Sequence, residues 1–253
     1  MYISSIPFSL ILLFIISMLW PPLMLMRATK KAGVTAGFSK SKIQQIQLII
    51  FAFFILWGTY ASFLSIQGYL TNNLIPPRAV ILLIVPLMLF LFLIVRRNST
   101  FKQLFNAIKP ETLINLHVYR FIGGWFLVLF YFNLLPAGFA LRAGWGDILT
   151  AITAVIITYF VFKKKVLHFR WAYAWNVFGL VDILGVVTSA FLVILESRTA
   201  PSAANDILEI TRFPFILIPA LAPAPLIFLH VITFKKLKSV KKEYCQPKVS
   251  ANQ

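Results

Sequence analysis

Five polar side chains interrupt the apolar stretches of this sequence, and their types could do chemistry. They are His117, Arg120, Asn176, Asp182 and His230. Four of them are ionisable, and an ionisable group within a hydrophobic helix normally faces a polar interior and has a function, because its burial in lipid costs free energy. We interpret the five as a candidate binding cluster for a proton, an ion or a small solute, and we assign none of them a catalytic role.

Helical geometry predicts that Arg120 and Asp182 form an ion pair. At a rise of about 1.5 Å per residue, Arg120 lies roughly 10 Å and Asp182 roughly 16 Å from the inner end of its own helix. The long arginine side chain can close this difference, either directly or through Asn176. Two interpretations stay open: the pair belongs to a functional site, or it only holds two helices together, since a buried pair can be retained for packing specificity.

His117 and His230 lie at equal predicted depth, roughly 6 Å from the inner ends of their helices. Two imidazoles on facing helices can serve as the axial ligands of a haem. The sequence offers no carboxylate at that level to orient the rings. We therefore expect no cofactor and no metal, and a haem on these two residues is the alternative.

A second group of residues resembles a known enzyme family. Gly144-Trp145-Gly146-Asp147 matches the GxGD signature of the intramembrane aspartyl proteases, and Pro219-Ala220-Leu221 matches their PAL triplet. The resemblance implies two aspartates that share a proton, but the apolar run before the signature contains no acidic residue. Asp182 should lie too far from Asp147 in depth to share a proton, and a carboxylate separation under about 5 Å would favour the protease interpretation after all. We interpret the match as chance.

Asp147 is predicted instead to form an ion pair at the outer rim of the protein. The apolar run that contains it starts at about residue 145, which puts the carboxylate roughly 3 Å from the outer end of its helix. Arg142 and Arg212 are basic residues expected at the same level. Pairing with either would close the outer side of the bundle.

Seven apolar runs must position these residues, and they define the fold class. A helix needs about 20 apolar residues to cross the hydrocarbon core of a membrane, and the 253-residue chain is 60% hydrophobic and only 12% charged. We predict an all-α bundle of seven transmembrane helices in one domain, residues 1–238, followed by a basic tail, residues 239–253. The runs are residues 3–26, 43–66, 79–95, 113–135, 145–162, 171–195 and 213–234.

The basic residues predict the orientation of this bundle. Short loops rich in Lys and Arg stay in the cytoplasm, and nineteen of the 24 basic residues fall on one side, so the N-terminus should lie outside and the C-terminus inside. The net charge of +17 then attracts anionic lipid headgroups and does not indicate nucleic-acid binding. The sequence identifies no protein partner. The nineteen are Arg27, Lys30, Lys31, Lys40, Lys42, Arg96, Arg97, Lys102, Lys109, Lys163, Lys164, Lys165, Arg170, Lys235, Lys236, Lys238, Lys241, Lys242 and Lys248.

Two loops should contain short helices. After the third run, apolar residues recur at helical spacing, with a capping residue before them and Pro110 just beyond. This predicts an interfacial helix over about residues 99–109, lying on the inner leaflet; a docking helix for a cytosolic partner is the alternative. Another short helix is predicted near Asp206 in the long outer loop. The apolar positions of the first helix are Phe101, Leu104, Phe105 and Ile108.

The last run contains four prolines within twelve residues: Pro214, Pro219, Pro223 and Pro225. Proline removes a backbone donor and clashes with the preceding turn, so this helix should be kinked or partly unwound. A broken helix can line a path for an ion or a substrate. The other interpretation is a bent helix whose unpaired carbonyl groups find partners on its neighbours.

Residues 115–235 resemble a group of uncharacterised bacterial integral membrane proteins, through residues 135–147, residues 175–182 and the proline-rich last run. This resemblance implies a bacterial cytoplasmic membrane and no particular activity. We favour a multi-pass protein that binds or moves a small solute, ion or proton through its last four spans. The alternatives are a scaffold or partner subunit without a site, and a redox or lipid-modifying enzyme that uses His117 and His230.

Overall fold

The computed structural model describes residues 6–70, 76–196 and 207–245. Within these ranges the chain contains no β-strand, and seven helices are long and apolar enough to cross a membrane. The prediction of an all-α bundle with seven spans is therefore confirmed. Numbered in chain order, the spans are Phe8–Thr35, Lys40–Ile66, Val80–Arg97, Pro110–Tyr131, Ala137–Lys163, Arg170–Glu196 and Leu217–Lys241.

Span five begins earlier than the apolar pattern predicts, at Ala137 instead of about residue 145. Pro136 precedes it in an extended conformation, and the helix starts directly after this proline. Because backbone groups within a bilayer must bond to each other, the helix continues through Arg142 and the nearby glycines. Asp147 consequently lies in the interior of span five, about 15 Å from its first residue.

Spans one and seven each consist of two helices. In span one, Phe8–Ser17 is followed by Trp20–Thr35, which has prolines in its first turn, where a missing N–H costs least. In span seven, Leu217–Leu221 is followed by Pro223–Cys245. The proline-rich run thus contains a break at Ala222.

Spans four and seven form the centre of the bundle. In each of them 61% of the most apolar stretch is buried, against 11% in span three and 17% in spans two and six. Spans four and seven therefore contact protein on most sides, whereas few residues of spans two, three and six are fully buried. A polar group on a central span must find its partners within the protein, because no water is available in lipid.

A short helix, Ser99–Ala107, follows span three. The side chain of Asn98 caps this helix by accepting a hydrogen bond from the N–H of Phe101 at 3.1 Å. The Phe101 ring packs on Phe228 of span seven, at a centroid distance of 5.7 Å. Part of the apolar side of the helix Ser99–Ala107 is thus covered by span seven. The helix predicted near Asp206 and the end of the basic tail lie outside the described residues.

Candidate functional site

Arg120 is the largest side chain that the described part of the bundle buries completely. It lies in span four, within the 3₁₀-helical stretch His117–Gly123, and 1% of the residue is exposed. A guanidinium group has five N–H donors and no acceptor, and an unpaired donor in an apolar interior costs free energy. Spans five, six and seven supply the acceptors.

Two carboxylates bind this guanidinium. Asp147 of span five accepts a hydrogen bond from Nε of Arg120 at 2.7 Å through Oδ1, and the same oxygen lies 2.6 Å from Nη2. Asp182 of span six accepts from Nη2 through Oδ2. The ion pair expected from the depths of Arg120 and Asp182 is thus present, and Asp147 joins it. We call Arg120, Asp147 and Asp182 the ionic centre.

The other terminal nitrogen of Arg120, Nη1, faces spans six and seven. It donates to the carbonyl oxygen of Gly179 at 3.0 Å and lies 3.3 Å from Nε2 of His230. Since Nη1 can only donate, Nε2 accepts, and the ring proton belongs on Nδ1, which lies 2.8 Å from Oδ1 of Asn176. The Asn176 amide nitrogen donates to the His230 carbonyl at 3.0 Å. Asn176 therefore orients a neutral His230 and does not bridge Arg120 to Asp182.

His117 lies beside His230, and neither of its ring nitrogens has a hydrogen-bond partner in the described part of the chain. Its ring centroid is 4.0 Å from that of His230 and 5.1 Å from that of Trp175. A metal ion between two imidazoles needs about 2 Å to each nitrogen, which separates the ring centroids further than this. The geometry does not fit a haem held between the two histidines.

The predicted ion pair at the outer rim is not formed by Asp147. Its carboxylate binds Arg120, because span five starts at Ala137 and carries Asp147 into the middle of the bundle. Arg212 pairs with Glu209 instead, at 2.7 Å. This part of the sequence interpretation was wrong about the helix boundary, and the depth assigned to Asp147 followed from that error.

Arg142 takes a third position, on the surface between spans five and six. It is exposed, and its guanidinium packs over Gly185. Gly185 lies one helical turn from Asp182 along span six. A second cation therefore lies near the ionic centre, about one helical turn from Asp182.

The two aspartates of the ionic centre are closer than their expected depths allow. Both contact Nη2 of Arg120, so the contacting oxygens lie within about 5 Å of each other. The guanidinium nevertheless lies between them and donates to both, so the carboxylates do not share a proton. The cavity that Asp147 lines with Leu221 of the PAL triplet measures only about 20 Å³, room for about one water molecule. The residues do not form the aspartate dyad of a protease.

Glycines let the helices approach closely at the ionic centre. A Cβ atom at Gly146 would collide with the Asp182 carboxylate, and one at Gly123 would collide with Asp147. Small residues at helix interfaces in membranes permit such contacts. Gly123 and Gly146 are the signal in the sequence that could have identified Asp147 as a member of the site.

Gly179→Ala should displace His230 and weaken its contact with Arg120. The added Cβ would lie 2.5 Å from Cε1 of His230 and 3.0 Å from a methyl carbon of Thr150. Overpacking of this kind costs about 1–3 kcal/mol, so the thermal midpoint of the purified protein in detergent should fall. A midpoint equal to that of the wild type would contradict the close packing.

Gly138→Ala is the matched control for this substitution. Gly138 lies in span five, and nothing is within 4 Å of the Cβ that the substitution would add. Because alanine is the better helix former, we expect the thermal midpoint to stay unchanged or to rise.

The ionic centre contains more negative than positive groups. With both carboxylates ionised, Arg120, Asp147 and Asp182 together carry a net charge of −1, and the exposed Arg142 near Asp182 lies outside this group. A net charge in a buried site is costly. Binding one proton or one monovalent cation would neutralise it.

Seven apolar helices, with a charged centre enclosed among spans four to seven, define a multi-pass membrane protein. The chain belongs to a family that is described as a domain of unknown function, DUF8737, whose model matches residues 75–238. The matched region includes spans three to six, span seven as far as Lys238, and every residue of the ionic centre. No curated protein and no solved structure matches the chain.

Proposed function

We propose that this protein moves protons across the membrane and that the ionic centre binds the proton in transit. The observation that supports this proposal is the attachment of two carboxylates to one buried guanidinium. Within the ionic centre one negative charge has no buried cation of its own, since Arg142 is exposed. Burial of such a charge is costly, and protonation of one aspartate removes it. Intramembrane carboxylates and histidines are typical of the proton relays of pumps and transporters.

Polar groups continue from the ionic centre toward both ends of the bundle. On one side His230 lies against Arg120, and His117 contacts His230. On the other side Arg142 lies one turn beyond Asp182. The unpartnered ring nitrogens of His117 need a hydrogen-bonding partner, and the cavity beside Arg120 can hold about one water molecule. The histidines, the carboxylates and a water molecule in this cavity are the groups that can accept and release a proton, whereas Arg120 and Arg142 stay charged and only shape the field around them.

Proton flux into liposomes tests this proposal. The purified protein is reconstituted into vesicles that contain a pH-sensitive dye, and a potassium gradient with valinomycin sets the membrane potential. We expect the internal pH to change faster than in vesicles without protein, and the direction to reverse with the sign of the potential. Equal rates with and without protein, at both signs, would refute proton transport.

A scaffold or partner subunit without a transport site is the second candidate. The observation that favours it is the tight packing around Arg120, where the adjoining cavity is only about 20 Å³. A scaffold needs the ionic centre only to hold spans four, five and six together. The scaffold hypothesis therefore predicts that neutralising either aspartate changes the stability of the protein. It also predicts that vesicles with the wild-type protein show no proton flux.

We also propose that the protein lies in a bacterial cytoplasmic membrane with its C-terminus inside. The distribution of basic residues supports this orientation. Cys245 is the single cysteine of the chain and lies close to the C-terminus. A membrane-impermeant thiol reagent should therefore label the protein in permeabilised cells and not in intact cells. Equal labelling of intact cells would show that the C-terminus lies outside and would contradict the proposed orientation.

A further inference from the structure

An apolar cavity of about 500 Å³ lies beside the part of the bundle described above. It is bounded by spans one to four and seven and by the helix Ser99–Ala107. Its volume falls within the range of about 300–1,000 Å³ that is typical of small-molecule sites. Aromatic and branched side chains supply most of the wall, among them Phe53, Phe90 and Phe228. The ligand that fits such a wall is mostly hydrocarbon.

The length of the cavity matches one leaflet of a bilayer. The residues that line the cavity on this side run from Leu87 of span three to Asn98, which directly follows that span. This is about 16 Å at the rise of an α-helix, or about half of a hydrocarbon core of about 30 Å. A ligand that lies along span three in this cavity therefore starts at one membrane surface and ends near the midplane.

Polar residues line the cavity at its surface end. They are Thr29, Asn98 and Thr100, and they can donate hydrogen bonds to a headgroup. Exposed basic residues adjoin them along the chain, and the first acidic residue of the sequence is Glu111, at the start of span four. Four basic residues against one acidic residue leave this end of the cavity positive. The adjoining basic residues are Lys30, Arg96, Arg97 and Lys102.

We propose that this cavity binds one phospholipid with an anionic headgroup. One acyl chain lies along the apolar wall, and the phosphate lies among the polar and basic residues at the surface end. The far end of the cavity is lined by Tyr119, which also lines the small cavity beside Arg120 and Asp147. A bound acyl chain would therefore end next to the ionic centre, although this proposal does not depend on proton transport.

Lipid retention by the full-length protein tests the proposal. Protein in detergent is incubated with equal amounts of phosphatidylglycerol and phosphatidylcholine, and native mass spectrometry counts the lipids that stay bound. We expect one phosphatidylglycerol to be retained in preference to phosphatidylcholine. Equal retention of both lipids would mean that the protein carries only unspecific lipid from around the bundle, and this would overturn the proposal.

Variants at the surface end separate a specific headgroup site from general attraction. At about 1 kcal/mol for each basic residue near a headgroup, the double variant Arg96→Gln, Arg97→Gln should weaken phosphatidylglycerol binding about thirtyfold. The control Lys163→Gln, Lys164→Gln removes the same charge from the end of span five and the start of the following loop, and neither residue lines the cavity. Equal weakening by both variants would overturn a site at this cavity.

A cavity-filling variant tests the acyl-chain half of the site. Ala28→Phe adds a ring to a buried position in the cavity wall, so the retained lipid should be lost. Ala174→Phe adds the same ring at an exposed position of span six and should keep it. Both variants are first checked for a monodisperse gel-filtration profile; if Ala28→Phe fails that check, Ala32→Phe fills the same wall. Lipid retained by a folded filling variant would contradict the proposal.

Discussion

Replacing Arg120 by glutamine should cost about 3–5 kcal/mol of folding free energy, the usual result when one member of a buried ion pair is removed. Two aspartates would then remain in a site where Arg120 had supplied their hydrogen bonds. The expected result is a large fall in the thermal midpoint of the detergent-solubilised protein, or loss of the monodisperse species. Thermal denaturation followed by gel filtration measures both.

Neutralising the partners should recover much of this loss. In the triple variant Arg120→Gln, Asp147→Asn, Asp182→Asn no unpaired charge remains, and amides of similar size can bond to each other. Arg27→Gln is the matched control, because Arg27 is an exposed arginine on span one and its loss should change the midpoint little. An Arg120→Gln variant as stable as Arg27→Gln would mean that the ionic centre does not hold the bundle together.

Asp182→Asn and Asp147→Asn should each abolish proton flux while the protein stays folded. Either substitution leaves one carboxylate for the one guanidinium, so the site becomes neutral without a proton and has no net charge to compensate. Arg120 keeps an ionised partner in both variants, and the amide oxygen can still accept its hydrogen bond. Flux in the liposome assay should fall to the rate of vesicles without protein.

Glu209→Gln is the control for these two variants. Glu209 is an acidic residue that pairs with Arg212, outside the ionic centre. Its replacement should leave the flux unchanged. Flux that survives in Asp182→Asn and Asp147→Asn would refute the proposed proton site, whereas the unfolding of both variants would favour the scaffold.

The number of spans was predictable because the thickness of a bilayer sets the length of an apolar helix. The approach of Arg120 to Asp182 was predictable for a related reason, since the rise per residue converts sequence position into depth. His117 and His230, assigned to one level, also lie in contact. Depth is the coordinate that a membrane sequence provides most directly.

Asp147 was misplaced because an apolar run is not the same as a helix. Arg142 and the glycines around it lower the local hydrophobicity, but the backbone in a membrane keeps its hydrogen bonds and the helix continues through them. The role of Asn176 was equally hidden, because which side chain bonds to which depends on helix rotation. Sequence periodicity does not fix the rotation of a helix that is apolar on most sides.

The stretch His117–Gly123 makes span four longer than an α-helix with the same number of residues. A 3₁₀-helix rises about 2.0 Å per residue and an α-helix about 1.5 Å, so rewinding these seven residues would shorten the span by about 3.5 Å. The tighter coil also turns farther at each residue, so rewinding would swing Arg120 around the axis of its helix. Span four therefore combines two helix types with different rise and twist. Conversion of its 3₁₀ stretch to α-helix would withdraw the guanidinium of Arg120 from one or both carboxylates.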